Sequence, residues 1–194
     1  MSEEPTADQR PMMISDPQVM RALAHPARLE IMEHLTTTGA AVTATECAEI
    51  VGLSPSATSY HLRELARYGL VEQAPSRGDA RERLWRSTVR SWGVEIGPDA
   101  SAEARAAEET LIEVYLARDL ERVRDWVYRS RDESKEWTEA ARISGQTLLL
   151  TAAELTALND AVRALMQPYL RRERADPPEG ARPVAVHYAA VPME

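Results

Sequence analysis

The stretch from Thr43 to Val71 constrains this chain more than any other. Thr43 stands three residues before Glu46, the spacing of a capping box, so a helix is expected to start near Ala44. Gly52 can take the left-handed conformation that ends such a helix. Ser54 is a good N-cap, and Pro55 suits a first helical position, where a missing N–H costs nothing. A second helix is then predicted over 55–68, with Gly69 stopping it. Two short helices joined by a tight turn containing Gly form a helix-turn-helix.

The second helix has two faces. Thr58, His61, Leu62 and Leu65 recur at helical spacing and are expected to pack inward. Ser56, Ser59, Tyr60, Arg63 and Arg67 fall on the other side. Short hydroxyls near the N-terminus and cations further along are what a DNA-reading helix needs, for base edges and for phosphates. A solvated amphipathic helix would share that face, so the sequence that follows decides. Leu70–Ala74 and Arg83–Val89 read as strands. Between them, Pro75–Glu82 is a polar turn carrying Gly78, Arg77 and Arg81. A hairpin with a basic tip directly after a helix-turn-helix is a wing. Ser54 to Ser91 holds seven Arg against four Asp or Glu, a net of +3, inside a chain of net charge −8. Local positive charge in an acidic protein marks where a polyanion would dock.

Gly52-Leu53-Ser54, Ser59-Tyr60-His61-Leu62, Gly69-Leu70-Val71 and the upstream run Leu23–Met32 resemble the ArsR-type winged-helix transcriptional repressors. The resemblance covers about residues 15–92. It implies a homodimer that binds double-stranded DNA, with helix 55–68 in the major groove and repression by blocking a promoter. It also implies DNA contacts from Ser54, Ser56, Ser59, Tyr60, Arg63 and Arg67, and from Arg77, Arg81 and Arg83 on the wing. Arg28 matches an arginine of the family pattern that is structural. Two positions depart from that pattern: Pro55 stands where a polar side chain usually reads bases, and Tyr60 where arginine is common.

Many members of that family sense metals through paired cysteines near the helix-turn-helix, or through His and carboxylates on the dimer helix. Here Cys47 is the only cysteine and falls at an apolar helical position, and 101–131 holds no His. A metal needs three or four convergent ligands, so no metal site and no cofactor are expected. His25, His34, His61 and His187 are scattered and read as packing or surface residues. No phosphate loop, nucleophile elbow or His-x-x-x-His pair suggests an enzyme. No apolar run approaches a membrane span, one cysteine excludes an internal disulfide, and the polar, acidic N-terminus is unlike a signal peptide. A cytoplasmic protein is the expectation.

In chain order, 1–14 is expected to be a disordered tail. Residues 15–92 form the winged-helix domain, opening with helices at Asp16-Pro17 and Pro26. Trp92–Pro98 reads as a break before a second domain over 99–194. That domain begins with a periodic helix over 101–131, long enough to suggest dimerisation by helix pairing. Ion pairs Glu121–Arg124 and Asp125–Arg129 are expected along its outer face. Next come a strand over 146–150, a helix from Thr151 to about Arg174 kinked at Pro168, and a strand over 182–191. The expected fold class is therefore mainly α with small β: a winged helix-turn-helix, a long dimerisation helix and a C-terminal β-α-β unit. Trp126, Tyr128, Trp137, Tyr169 and Tyr188 are candidate walls of a pocket for a small-molecule effector, since such pockets favour aromatic linings. Core packing would explain them equally. A winged helix used as a protein-interaction module, or a small-molecule-responsive binding protein, are the competing readings.

Overall fold

The computed structural model describes residues 12–76, 83–174 and 176–193. The elements run β1 (Met12–Ile14), α1 (Pro17–Leu23), α2 (Pro26–Thr38), β2 (Val42–Thr43), α3 (Ala44–Val51), α4 (Pro55–Arg67), β3 (Val71–Ala74), β4 (Leu84–Ser87), β5 (Trp92–Val94), α5 (Ala102–Arg129), α6 (Lys135–Ala140) and α7 (Ala152–Met166). The chain divides into two compact units, Met1–Ala117 and Arg118–Glu194, so the division falls within α5.

In the first unit, side chains fix the helix starts. Asp16 Oδ1 accepts from the Gln18 amide at 2.8 Å. His25 Nδ1 accepts from the Ala27 amide at 3.2 Å, so an imidazole caps α2. Thr43 and Glu46 form both bonds of the expected box, at 3.1 and 2.6 Å. Gly52 ends α3 at φ 64°, a conformation that L side chains adopt only with strain. Ser54 Oγ then accepts from the Ala57 amide, and Pro55 opens α4. β2, β4 and β3 form an antiparallel sheet in that order, with Trp85 opposite both Val42 and Gln73.

Hydrophobic burial holds these elements together. Met20, Leu23, Leu29, Met32, Leu35, Leu62 and Leu65 are fully buried, and Val42, Leu70, Val71 and Trp85 bring the sheet onto the same core. Ala107 and Leu111 of α5 belong to it too. Cys47 is buried there, and burial pushes its thiol up to about 11, with Glu46 adding to the effect.

The structure corrects several expectations. Residues 12–14 are a strand, not the end of a tail; 1–11 lie outside the described residues. Trp92–Val94, read as a break, is the strand that pairs with them in parallel, Met12 opposite Trp92 and Ile14 opposite Val94. Ile14 reaches the core, and the end of the Met13 side chain lies 3.3 Å from where a Cβ on Gly93 would stand. The two partners are far apart in sequence, so neither carries a local signal of the other.

In the second unit, the helix between the expected strands forms, but 146–150 and 182–191 are not strands, and no β-α-β unit is present among the described residues. α7 ends at Met166 rather than near Arg174. Pro168 sits in a 3₁₀ turn, Gln167–Tyr169, and terminates the helix instead of kinking it. The polar stretch after α5 contains α6, capped by Ser134. The pairs Glu121–Arg124 and Asp125–Arg129 do not form. Asp119, 8% exposed, gathers the cations instead: Arg118 at 3.1 Å and Arg122 at 3.7 Å, with His187 Nδ1 at 2.9 Å. The segment around His187 is also held by Arg182, which pairs with Glu133 at 2.7 Å and lies 3.8 Å over the Trp137 ring. Tyr188 Oη donates to Asn159 Oδ1 at 3.0 Å.

Candidate nucleic-acid interface

α4 is fixed by its inward face. Thr58, His61, Leu62 and Leu65 are all buried, as their spacing predicts. Thr58 Oγ1 donates back to the Ser54 carbonyl at 3.0 Å, which absorbs its hydroxyl. This leaves Ser56, Tyr60, Arg63 and Arg67 exposed on the opposite side, with Ser59 half-buried beside them. Tyr60 is 54% exposed. Ser54 is exposed, but its hydroxyl accepts from the Ala57 amide and lies 3.1 Å from Ser56 Oγ. Its first role is therefore to start the helix. The Arg67 guanidinium lies 5.7 Å from the centre of the Tyr68 ring.

The hairpin β3–β4 follows directly. Arg83 is exposed at the base of its tip, while Arg77 and Arg81 lie outside the described residues. Not every arginine here is available to a ligand. Arg86 stands opposite Glu72 in the register and is paired with it, at 2.6 Å from Nη2 to Oε1.

Sequence reasoning set the histidines apart, and the structure joins two of them. His25 and His61 stack with ring centroids 4.6 Å apart, and Tyr60 meets His61 edge-on at 5.5 Å. His61 Nδ1 and Arg28 Nε are buried without a hydrogen-bond partner. Burial lowers the pKa of both imidazoles. Arg28 lowers each further, and His25 acts on His61 as well. The signal available in sequence was His25 at an N-cap position before Pro26, together with His61 on the inward face of α4. A polar cleft of about 300 Å³ opens nearby, lined by Gln18, Arg21, Ala22, Arg28, Glu64 and Tyr68.

The five aromatic residues named as effector walls lie in the second unit. Trp126 and Trp137 are half-buried, the latter under Arg182. Tyr128 and Tyr169 are each 69% exposed, Tyr169 with Arg174 at 5.4 Å from its ring. Tyr188 is held by Asn159. No cluster of three or more His, Cys, Asp or Glu able to hold a metal occurs among the described residues. Nor does any described helix have the length and apolarity to cross a membrane.

A comparison with known families finds one match, within the first unit. The family described as "Helix-turn-helix domain" matches residues 23–74, from the end of α1 to the end of β3. No curated protein matches the chain. Among solved structures, the homodimeric winged helix-turn-helix DNA-binding domain of a possible ArsR-family regulator from Mycobacterium bovis is 25% identical. It aligns over 54% of this chain and 81% of its own, with a TM-score of 0.32. The apo form of MarR from E. coli is 15% identical over 78% and 88%, with a TM-score of 0.32. The PcaV transcriptional regulator from Streptomyces coelicolor, in complex with its natural ligand, is 15% identical over 80% and 77%, with a TM-score of 0.29.

Proposed function

We propose that the chain is a sequence-specific, DNA-binding transcription regulator that acts as a homodimer through α5 and represses by occupying a promoter. The observation that carries this reading is the outward face of α4. A helix fixed on one side by Thr58, His61, Leu62 and Leu65 presents Ser56, Ser59, Tyr60, Arg63 and Arg67 on the other, beside an antiparallel hairpin. In this reading α4 enters the major groove. Ser56, Ser59 and Tyr60 meet base edges, with Ser54 at the mouth of the helix, where backbone N–H groups favour a phosphate. Arg63 and Arg67 hold phosphates, and Arg77, Arg81 and Arg83 of the wing reach the backbone or minor groove. The chain's charge of −8 disfavours indiscriminate polyanion binding and leaves the local cations to act at short range.

The test is a salt titration of binding to the DNA upstream of its own reading frame, set against a scrambled duplex of equal length. Tight binding to the upstream duplex, weakening steeply with salt and lost in Tyr60→Ala, supports the proposal. Equal, weak binding to both duplexes sinks autoregulation. If a screen of other promoters then also yields no preferred duplex, the operator-reading role itself is lost.

A further inference from the structure

The polar cleft of about 300 Å³ in the first unit is lined from three helices. Gln18, Arg21 and Ala22 come from α1, Arg28 from α2, and Glu64 from α4, with Tyr68 at the C-cap of α4. Three of these side chains are charged. Arg21 is already paired with Glu103, at 2.9 Å. Arg28 and Glu64 are both half-buried and line the same cleft, yet no ion pair joins them, and neither has another partner among the described residues. Arg28 Nε is buried as well as unbonded.

A half-buried charge with neither a counter-charge nor a hydrogen bond is costly. Here one of each sign faces the same space. A simple anion would gain Arg28 but meet Glu64, and a simple cation would gain Glu64 but meet Arg28, so each attraction would come with a repulsion at short range. A molecule carrying both charges a few bonds apart satisfies both groups at once. The volume stands at the small end of ligand sites, which suits one compact metabolite. Ala22 and the Tyr68 ring add the apolar surface that such a molecule needs for the rest of its atoms.

We propose that this cleft binds a free α-amino acid, with the Arg28 guanidinium donating to its carboxylate, the Glu64 carboxylate accepting from its ammonium group, and Ala22 and Tyr68 against its side chain. A planar guanidinium and a carboxylate form the stronger, charge-assisted kind of hydrogen bond, and the same holds for ammonium on carboxylate. The bound molecule would join α2 to α4 through its two charged ends and would place an anion beside Arg28, the cation next to the His25–His61 stack. Binding of this kind needs no DNA, so the site and the reading of α4 as a DNA helix stand or fall separately.

The experiment is heteronuclear amide NMR on the full chain, titrated with each standard L-amino acid in turn. The tightest binder is then compared with its deaminated acid and its decarboxylated amine, on the wild type and on Glu64→Gln. Saturable shifts at the amides of Gln18, Ala22 and Tyr68 are expected, with either truncated analogue binding about tenfold more weakly or worse. Glu64→Gln should weaken the amino acid by a similar factor and leave the deaminated acid unchanged, because the lost group and the lost partner belong to one contact. Without ligand, Glu64→Gln should melt at about the wild-type Tm. No amino acid shifting these amides overturns the proposal, as do shifts confined to other regions. A deaminated acid or an amine that binds as tightly as the amino acid overturns it too, since one charge would then suffice. So does a Tm that falls by several degrees in unliganded Glu64→Gln, which would mean that Arg28 and Glu64 pair with each other across the cleft.

Discussion

His25 and His61 stack face to tilted face, 4.6 Å between ring centroids and 44° between planes, one capping α2 and the other buried in α4. The stack ties the start of α2 to the helix that presents the candidate DNA-reading face. It has no carboxylate partner among the described residues. Arg28 is the charged neighbour acting on both rings; Arg21 and Glu64 line the cleft beside Arg28, and Tyr68 closes it.

Stability should therefore fall on mild acidification. Both imidazoles have lowered pKa values in the fold, so their contribution is fully present above the unfolded value of about 6.5 and is lost as pH falls from there toward the folded values. Protonation of His25 at Nδ1 would also remove the acceptor that caps α2. Thermal melts between pH 7.5 and pH 5.5 should show Tm dropping by a few degrees. His61→Leu, which removes a buried unpaired nitrogen, should flatten that slope. A wild-type slope retained in His61→Leu and in His25→Asn would assign the pH response to other groups.

Gly52 should resist replacement although space surrounds it. A Cβ there would meet nothing within 4 Å, so the cost is backbone strain alone. At φ 64° that strain is about 1–2 kcal/mol. Gly52→Ala should fold with a lower denaturation midpoint and an unchanged m-value. Gly97→Ala, also in open space and without a positive φ, serves as the neutral control.

Arg83 and Arg63 should act as phosphate contacts rather than base readers. Changing either to Ala should weaken binding to all duplexes alike and reduce the slope of log K against log salt by about 0.9 for each phosphate lost. Arg86→Ala, which removes a cation already paired with Glu72, should change that slope least. Filter binding at four salt concentrations separates the three.

Asp119 should govern the order of the C-terminal segment. It accepts from Arg118, pairs with His187 at 2.9 Å and forms a longer ion pair with Arg122. Asp119→Ala leaves those bases without their anion and frees His187. Proteolytic cleavage within 182–190 should accelerate by about tenfold or more, with amide exchange in α3 and α4 unchanged. Uniform acceleration across the chain would mean that the carboxylate supports the whole fold instead.

The parts of this protein written in local code were legible. Thr43, Glu46, Gly52, Ser54 and Pro55 specify helix ends within a few residues of themselves, and the structure places α3 and α4 accordingly. The β1–β5 pair was not legible, because Met12–Ile14 and Trp92–Val94 gain strand character only from each other. In the second unit the alternating Val184, Val186 and Tyr188 imitate a strand. Side chains around them, Arg182 on Trp137, His187 on Asp119 and Tyr188 on Asn159, hold the segment without a ladder. At the candidate interface, spacing gave the two faces of α4. It could not give the stacking of His25 on His61, which depends on how α2 and α4 pack.

The strand at Met12–Ile14 and the buried Ala107 and Leu111 lie well outside the segment that matches the helix-turn-helix family. The recognisable motif is therefore smaller than the piece able to fold. A fragment trimmed to 23–74 would lose Ile14, Met20 and Leu111, together with the whole of β4 and β5. It would present α4 on an incomplete core. The chain on either side of the motif sets the terms on which the outer face of α4 exists at all.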